Sequence, residues 1–287
     1  MSNKKETAVT VIMPTYNAGE GFMNICCALD KQTANVKDVI IIDSNSSDST
    51  VEIAKHFGFT VNSIKKEDFG HGKTRQYGVN LASTELIVFL TQDALLYDTL
   101  AIEKLITYLQ SGEKVAAVYG RQLPYADTGE LGAYARIRNY GSLSFVNTLM
   151  DRNRKGIKAA FLSDSFAAYK KSLLLTLGGF PNDVNFGEDM YVAAKFLLAG
   201  YKTGYCAEAK VYHSHNYSLA QDFRRCREIG RFHKEQHWLL EEFGKAEGEG
   251  IRYVFAEAKW LLGIGKWYLI PVAFFHNLAK YLGYKLA

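Results

Sequence analysis

The chain has 287 residues and a net charge of +4, with 48% hydrophobic and 22% charged residues. This composition is ordinary for a globular protein, and the length allows one large α/β domain or two small ones. The small net charge gives no argument for a nucleic-acid partner, and we expect none. The four cysteines form no CxxC pair, which favours reduced thiols and a cytosolic protein over a metal or disulfide framework.

The first 120 residues alternate between predicted strands and helices, with no hydrophobic stretch ahead of the first strand that would indicate a signal peptide. Strands are predicted at residues 8–14, 38–43, 59–64, 85–90 and 115–120, and helices at 19–32, 48–58, 72–83 and 98–110. Ser46 or Asp48 is predicted to cap the second helix and Asp98 the fourth. Strands that alternate with helices of this length predict an α/β fold with a parallel sheet.

After residue 120 the pattern changes. Residues 121–160 are more polar and aromatic, and a strand followed by a helix start is predicted within 158–172. An amphipathic helix is predicted at 187–200, a short strand ends near residue 213, and a long basic helix runs from Leu219 to Phe243. We therefore expect one α/β domain followed by a helical appendix.

Polar residues follow several of the predicted strands. Asp43 ends "VIIID", Asp93 follows "LIVFLTQ", a polar loop follows Gly120, and "PTYNAGE" follows the first strand. The carboxyl ends of parallel strands lie at one edge of a sheet, where α/β proteins bind ligands. We expect these four segments to form the rim of one pocket.

The familiar phosphate-binding motifs are absent from the sequence, because neither GxGxxG after the first strand nor GxxxxGK[ST] occurs. A divalent cation held by carboxylate oxygens and substrate phosphates is the alternative device, and Asp93 is the best candidate ligand. For Asp93 and for Asp43 a plain helix cap is the competing interpretation. Asp43 lies far from the next helix, which favours a ligand role for it.

Four stretches occur in an order that resembles the family 2 glycosyltransferases with a GT-A fold, over about residues 8–216. They are "VTVIMPTYNAGEGFMNICCALDKQ", "VIIIDSNSSDSTVEIA", "GKTRQYGVNLASTELIVFLTQDA" and "GEDMYVAAKFLLAGYK". Within that family "FGHGKTRQYG", "TQDA" and "VYHSHNYS" are most similar to rhamnosyltransferases of bacterial cell-surface polysaccharide synthesis. The resemblance implies a Rossmann-like, mostly parallel central sheet flanked by helices.

The resemblance also implies the domain organisation. Residues 1–217 would be the GT-A catalytic domain, with a nucleotide-sugar half at about 1–120 and an acceptor half at about 121–217. Residues 218–287 would be an amphipathic helical extension. The family's donor-binding positions match the following residues: Pro14, Thr15, Tyr16, Asn17, Asp43, Ser44, His71, Gly72, Lys73, Arg75, Gln92, Asp93 and Arg121.

Among these residues Asp43 matches the aspartate that accepts a hydrogen bond from the base, for which the N3–H of uracil or thymine is a suitable donor. The family often has a second acid next to it, where this chain has Ser44. Arg75 matches a basic residue near the donor. His71, Gly72 and Lys73 precede it at a predicted helix N-terminus, which favours an anion.

The metal and catalytic residues follow from the same comparison. Asp93 matches the last acid of the family's Asp-x-Asp motif, whose first acid is replaced here by Thr91. His213 and His215 resemble the late histidine that completes metal or diphosphate binding, so Mg²⁺ or Mn²⁺ would be held by Asp93, His213 and His215. Asp189 matches the general base of inverting members, with Glu188 positioning it or sharing the role. For both acids, stabilisation of the helix N-terminus is the alternative.

Two weaker assignments concern the sugars. Arg121 would lie near the donor sugar or the acceptor, and Asp164 and Ser165 precede a helix where the family shapes its acceptor site. A cap or an ion pair is an equal alternative for each.

The last 37 residues, 251–287, contain nine aromatic residues and five Lys or Arg against one Glu. The longest charge-free run, at 267–279, is shorter than the roughly 20 residues needed to span a bilayer. We interpret the tail as helical and lying on a membrane surface. Packing against the catalytic domain or a second subunit, as in a homodimer, is the alternative.

Together these features predict an inverting glycosyltransferase at the cytoplasmic face of the cell membrane. It would transfer L-rhamnose from dTDP-β-L-rhamnose to a lipid-linked saccharide in capsule, cell-wall or O-antigen synthesis. A UDP-sugar donor (GlcNAc, Gal or Glc) and a non-catalytic nucleotide-sugar-binding scaffold subunit are the alternatives. A nucleotidyltransferase is disfavoured because a glycine-rich phosphate loop is missing.

Overall fold

The structure is a computed structural model that describes residues 7–246 and 248–287. The chain forms two compact units. The first takes in the described residues up to Gln122 together with Gly141–Leu149 and Ala160–His213. The second consists of Leu123–Tyr140, Met150–Ala159 and the described part of Ser214–Ala287.

A single nine-stranded sheet forms the centre of the first unit, counted over the described residues. Its strands are β1 (Val9–Thr15), β2 (Val36–Asp43), β3 (Thr60–Ser63), β4 (Leu86–Leu90), β5 (Leu95–Leu96), β6 (Val115–Leu123), β7 (Phe145–Asn147), β8 (Phe166–Lys170) and β9 (Lys202–Tyr212). They are arranged in the order β3-β2-β1-β4-β8-β6-β9-β5, and β7 pairs with β9.

The pairing divides the sheet into two halves. Strands β3, β2, β1 and β4 pair in parallel, as the alternation of strands and helices predicted. Strand β8 enters between β4 and β6 and is antiparallel to both, and β5 and β7 are antiparallel to β9. Because β4 and β6 are both antiparallel to β8, they run in the same direction. Their carboxyl ends therefore lie at the same edge of the sheet as those of β1 and β2.

The strands in the middle of the sheet are apolar on both faces. All five residues of β4 are buried, and so are the last five of β2. Continuous apolar runs of this kind are typical of parallel strands covered by helices on both sides. Pro14 fits in β1 because pairing with β4 stops at Ile12, so no partner strand needs the missing N–H on that side.

Helices cover the sheet and extend from it. In the first unit they are α1 (Phe22–Asp30), α2 (Thr50–His56), α3 (His71–Leu81), α4 (Ala101–Ser111), α7 (Lys171–Thr176) and α8 (Glu188–Leu198). In the second they are α5 (Glu130–Asn139), α6 (Arg152–Lys155), α9 (Leu219–Glu235), α10 (Trp238–Phe243), α11 (Glu249–Gly263) and α12 (Ile270–Lys285). None of the helices in the described ranges combines the length and apolarity needed to cross a membrane.

Two predicted caps and one predicted helix differ from the structure. The N-cap residues of α2 and α4 are Ser49 and Leu100. Asp48 and Asp98 lie one or two residues earlier and accept hydrogen bonds from nearby backbone N–H groups, at 3.1 and 3.0 Å. The predicted basic helix is split into α9 and α10 because Gln236 leaves helical geometry, with φ −107° and ψ 49°.

In the second unit α9 begins with a capping box between Ser218 and Gln221, in which each side chain bonds the other residue's backbone N–H. Helices α9 and α12 then pack closely along their length. A Cβ on Gly230 would lie 2.7 Å from the carbonyl oxygen of Tyr284, and one on Gly283 would overlap the backbone of Phe223. Glycine at both positions lets the two backbones approach.

Candidate active site

Asp43 ends strand β2 beside Thr15, its register partner at the end of β1. Its carboxylate is buried and accepts three hydrogen bonds. Thr15 Oγ1 and Ser46 Oγ donate to Oδ1 at 2.9 and 2.6 Å, and the Ser46 N–H donates to Oδ2 at 2.8 Å. An ionised carboxylate has about four acceptor positions. Asp43 is therefore held in a fixed orientation and retains capacity for one further donor.

The loop after β1 is attached to both neighbouring loops. The Tyr16 N–H donates to Gln92 Oε1 at 2.7 Å, and Gln92 Nε2 donates back to the Tyr16 carbonyl at 3.1 Å. Asn17 has a positive φ of 44°, and its Oδ1 accepts the N–H of Ser47 at 2.8 Å. Gln92 thus connects the β1 loop with the segment after β4 through a pair of amide hydrogen bonds.

One neighbour of this loop was not predicted. Lys66 Nζ lies 4.5 Å from the centre of the Tyr16 ring and donates to its hydroxyl at 2.7 Å. The sequence around Lys66 carries no signal that singles it out, because it is one of two adjacent lysines before a short acidic stretch. Ser44, by contrast, follows Asp43 and is buried, and its hydroxyl has no hydrogen-bond partner among the described residues.

Asp93 and His213 come together from distant parts of the chain. His213 Nε2 lies 3.4 Å from Asp93 Oδ1, and the Asp93 side chain is 46% exposed while His213 is buried. The other ring nitrogen, Nδ1, is 2.9 Å from Gln122 Oε1, and Gln122 Nε2 donates to Ser163 Oγ at 2.9 Å. Since an amide oxygen accepts only, the pairing favours a proton on Nδ1 and a lone pair on Nε2.

The donor set at this position fits a divalent cation. One carboxylate oxygen and one imidazole nitrogen point at the same space, and the remaining positions are left to water or to phosphate oxygens. The orientation of His213 by Gln122 is the outer hydrogen bond that metal-binding histidines usually have. Asp93 and His213 are two of the three predicted metal ligands, and the structure brings them together. Gln122 was not predicted, although it directly follows Arg121 on β6.

Glu188 and Asp189 form the first turn of α8, after Gly187 with a positive φ of 77°. Glu188 is buried and Asp189 is partly exposed. The Asp189 carboxylate accepts the N–H of Met190 at 2.7 Å and, at 3.4 Å, that of Asp164. Asp189 is thereby oriented by backbone donors on two segments while keeping access to solvent.

Arg75 lies in a different environment from the one expected. The sequence predicted a donor contact, whereas the structure buries the guanidinium between two carboxylates. Its Nε is 2.9 Å from Asp164 Oδ2, and its Nη1 is 2.7 Å from Glu188 Oε1. Tyr169 OH also donates to Asp164 Oδ1, at 2.5 Å. Asp164 and Glu188 are therefore buried, and each is paired with Arg75.

These contacts change the acidity of the cluster. Burial, followed by the charges of Glu188 and Asp164, raises the pKa of Asp189 to about 8. Burial also raises the pKa of Asp164, against the opposing charge of Arg75. A carboxyl group with a pKa near neutrality is well suited to take up a proton at physiological pH. Asp189 is therefore a stronger base than Asp164.

The remaining predicted residues have these positions. His71 and Gly72 begin α3, and a Cβ on Gly72 would overlap the carbonyl oxygen of Pro181, so only glycine fits there. Lys73 is exposed and lies 3.3 Å from Asp68. Arg121 is half-buried on β6. The carbonyl oxygen of Ser165 accepts the N–H of Thr91 at 3.2 Å, beside the predicted metal segment.

The sequence matches the family model described as glycosyl transferase family 2 over residues 10–178. It is 44% identical over 280 residues to the O-antigen chain rhamnosyltransferase RfbN of Salmonella typhimurium, covering 97% of this chain and 88% of that protein. It is 43% identical over 279 residues to the O-antigen chain rhamnosyltransferase WbaN of Salmonella anatum, with 96% and 88% coverage.

Solved structures show the same fold at low sequence identity. The mannosyltransferase PcManGT of Pyrobaculum calidifontis, solved with GDP-Man and Mn²⁺, aligns with a TM-score of 0.65 at 18% identity, covering 96% of this chain and 86% of that one. TarS residues 1–349 of S. aureus with UDP-GlcNAc align with a TM-score of 0.60 at 15% identity, covering 97% and 90%. The predicted GT-A fold is confirmed, and the chain belongs to glycosyltransferase family 2.

Proposed function

We propose that this protein is an inverting rhamnosyltransferase of O-antigen synthesis, which transfers L-rhamnose from dTDP-β-L-rhamnose to a saccharide acceptor. The observation that carries the proposal is the 44% identity to an O-antigen chain rhamnosyltransferase over 97% of the chain. The arrangement of Asp43, Asp93 and Asp189 around one sheet edge supports it. Each of these aspartates has a distinct role in the proposed reaction.

The nucleotide is bound at the ends of β1 and β2. The fourth acceptor position of Asp43 takes the N3–H of the thymine ring, and Tyr16 directly follows Thr15, which donates to the same carboxylate. The hydrogen bonds from Thr15 and Ser46 keep the carboxylate oriented before the donor arrives. Uracil presents the same N3–H, so Asp43 alone does not separate a dTDP donor from a UDP donor.

The diphosphate is bound next to Asp93. Mg²⁺ or Mn²⁺ would be held by Asp93 and His213. His215, two residues farther along the sequence, is the third ligand that the resemblance to the family implies. When bound, such an ion neutralises the charge that develops on the departing diphosphate. Gln122 keeps the Nε2 of His213 directed to this position. The single carboxylate leaves most of the coordination to phosphate oxygens and water.

Asp189 acts as the general base. Its carboxylate takes the proton of the acceptor hydroxyl while the hydroxyl oxygen forms a bond to the anomeric carbon of the sugar. The bond from that carbon to the diphosphate breaks on the opposite face, and the nucleoside diphosphate leaves with the bonding electrons. One displacement without a covalent intermediate inverts the configuration, by the same stereochemical logic as in glycosidases.

The acceptor is a saccharide on a lipid carrier, reached from the cytoplasmic side of the membrane. Residues 249–287, which include α11 and α12, bear large apolar side chains that are more than half exposed: Ile251, Phe255, Leu262, Trp267, Tyr268, Phe274, Phe275, Tyr281 and Leu286. Residues 251–287 also carry five basic residues against one acid. Exposed aromatic and basic side chains favour contact with an anionic membrane surface.

The experiment that tests the proposal measures donor-dependent release of nucleoside diphosphate with a lipid-linked saccharide acceptor. dTDP-L-rhamnose is compared with UDP-GlcNAc, UDP-Gal and UDP-Glc, in Mg²⁺, in Mn²⁺ and in EDTA. We expect turnover with dTDP-L-rhamnose and its loss in EDTA. Turnover with a UDP-sugar instead would keep the mechanism and overturn the donor assignment.

A scaffold subunit that binds nucleotide sugar without turnover is the alternative from another functional class. The replacement of the first acid of the metal motif by Thr91 favours it, whereas the environment of Asp189 favours catalysis. The two differ in one measurement. If the protein is a scaffold, the wild type and Asp189→Asn bind dTDP-L-rhamnose equally well, and neither turns over any donor.

A further inference from the structure

The cluster around Asp189 combines three carboxylic acids with one guanidinium among the residues that the structure describes. Asp164, Glu188 and Asp189 are carboxylic acids, and Arg75 is the guanidinium that contacts two of them. Arg75 comes from α3, Asp164 from the loop before β8, and the other two from the start of α8. Segments distant in sequence are therefore joined at one charged centre.

A buried ion pair is a costly way to join segments if packing is its only task. Removing charges from water costs several kcal/mol per ion, and apolar residues of similar volume often replace such pairs without loss of stability. The site keeps a guanidinium here, with both Arg75 and its two partners at most 7% exposed at the side chain. The burial of Arg75 between Asp164 and Glu188 is therefore better explained by an electrostatic role than by a contribution to stability.

The position of Arg75 relative to Asp189 suggests what that role is. Arg75 contacts the residue directly before Asp189 in the chain and the residue whose backbone N–H reaches the Asp189 carboxylate. Both of these neighbours carry charges that raise the pKa of Asp189, and the charge of Arg75 lowers it. Arg75 thus holds two like-charged neighbours of Asp189 in place and offsets their effect.

We propose that Arg75 is a positioning residue that keeps the Asp189 carboxylate available as a base near neutral pH, rather than a residue that binds the donor. The inference rests on the proposed function of Asp189. Besides Arg75, the titratable groups that face the cluster are Glu188, Asp164 and Tyr169, together with His71, whose Nδ1 and carbonyl oxygen lie 3.3 Å from Arg75 Nη1.

The test compares the dependence of kcat/KM on pH in four variants. Arg75→Gln removes the cation, Arg75→Lys keeps the charge with a different geometry, and Glu188→Gln removes a like charge while keeping an oxygen for Arg75. Lys65→Gln is the control, because it removes an exposed cation that pairs with Glu67 in the segment before the same helix. Circular dichroism and donor affinity verify that each variant is folded.

We expect the acidic limb of the profile to move in opposite directions. In Arg75→Gln it shifts upward by about one pH unit or more, which lowers activity at pH 7 about tenfold and restores it at high pH. In Glu188→Gln it shifts downward, Arg75→Lys lies between the wild type and Arg75→Gln, and Lys65→Gln does not shift. The donor KM stays within about twofold of the wild type in Arg75→Gln.

Two other outcomes would overturn the proposal. A loss of activity in Arg75→Gln by the same factor at every pH indicates a structural role alone. A raised donor KM without a shift of the limb indicates donor binding. A second readout does not depend on turnover: the ¹³C carboxyl resonance of Asp189, assigned with Asp189→Asn, should titrate at higher pH in Arg75→Gln. If that shift occurs while no donor is turned over, the proposed function fails and the electrostatic role of Arg75 stands.

Discussion

Asp43 and Asp189 are the same residue type in one protein unit, and their surroundings are of opposite kinds. Asp43 is buried and receives three hydrogen bonds from hydroxyl and backbone donors, two of them from Ser46. Asp189 begins α8, where burial, followed by the charges of Glu188 and Asp164, raises its pKa. Neutral donors stabilise an ionised carboxylate, whereas nearby negative charge favours its protonated form.

The comparison shows how one side chain can serve two tasks. A carboxylate surrounded by donors keeps a fixed orientation, as recognition of a ligand N–H requires. A carboxyl group surrounded by like charge exchanges its proton near neutrality, as a general base requires. Each of the following predictions tests whether the two aspartates have these different tasks.

The largest effect is expected for Asp189→Asn. The amide cannot accept the proton of the acceptor hydroxyl, so kcat should fall about a thousandfold, within the usual range for a lost general base. Donor affinity, measured by calorimetry, should stay within about twofold because the nucleotide is held elsewhere. Asp183→Asn, an exposed aspartate shortly before α8, is the control and should keep full activity. Full turnover in Asp189→Asn would assign the base to another residue, with Glu188 the first to test.

Asp43→Asn should give the complementary result. The variant loses the charge that strengthens the hydrogen bond to the base, and such bonds contribute about 1.5–3 kcal/mol. The dissociation constant of the donor should rise about 10- to 100-fold, with a much smaller change in kcat. Asp38→Asn is the control, since Asp38 also accepts a threonine hydroxyl bond on β2 but at the other end of the strand. An unchanged donor affinity would remove Asp43 from the nucleotide site.

Much of the Asp43 region could be predicted from the sequence because its information is local. The apolar run of β2 fixes where the strand ends, and Ser46, three residues after Asp43, is close enough to bond it. An aspartate followed three residues later by a serine is a common local hydrogen-bonding pattern. The parallel half of the sheet was predictable for the same reason, since each strand and helix has its own periodicity.

The surroundings of Asp189 could not be predicted in this way. Arg75 lies on a helix of weak apolar pattern, and no periodicity in its sequence indicates that its partners are Asp164 and Glu188. The antiparallel entry of β8 between β4 and β6 brings Asp164 to the site. That pairing depends on contacts between distant strands. The sequence therefore predicted the residue types of this cluster, and the fold determined which of them pair.

A third prediction concerns stability and follows from the raised pKa of Asp189. The folded state binds a proton at Asp189 more tightly than the unfolded chain, whose aspartates have a pKa near about 3.9. Between about pH 4 and pH 8 the folded state therefore holds more protons, and this residue's contribution lowers the free energy of unfolding as the pH rises. Asp189→Asn should melt a few degrees above the wild type at pH 8 and near it at pH 4.

Thermal unfolding of both proteins at the two pH values measures this difference, and Asp183→Asn is again the control. If the wild type and Asp189→Asn have the same melting temperature at pH 8 as well as at pH 4, the negative charge around Asp189 is balanced in the folded state. Asp189→Asn is thus expected to gain stability while it loses activity, because a residue suited to proton transfer can be unfavourable for folding.

The smallest effect is expected for Gln92→Glu, which tests how far the fixed geometry around Asp43 depends on the neighbouring loop. The carboxylate can still accept the Tyr16 N–H but cannot donate to the Tyr16 carbonyl, so one of the two hydrogen bonds is lost. A lost neutral hydrogen bond costs about 1 kcal/mol, which corresponds to about a fivefold rise in donor KM with kcat unchanged. Gln110→Glu, on α4 and away from the site, should leave both constants unchanged. The contrary outcome is that Gln92→Glu lowers the concentration of Mn²⁺ needed for half-maximal activity. The new carboxylate would then bind the metal in place of the missing acid of the Asp-x-Asp motif, and this effect would outweigh the lost hydrogen bond between the loops.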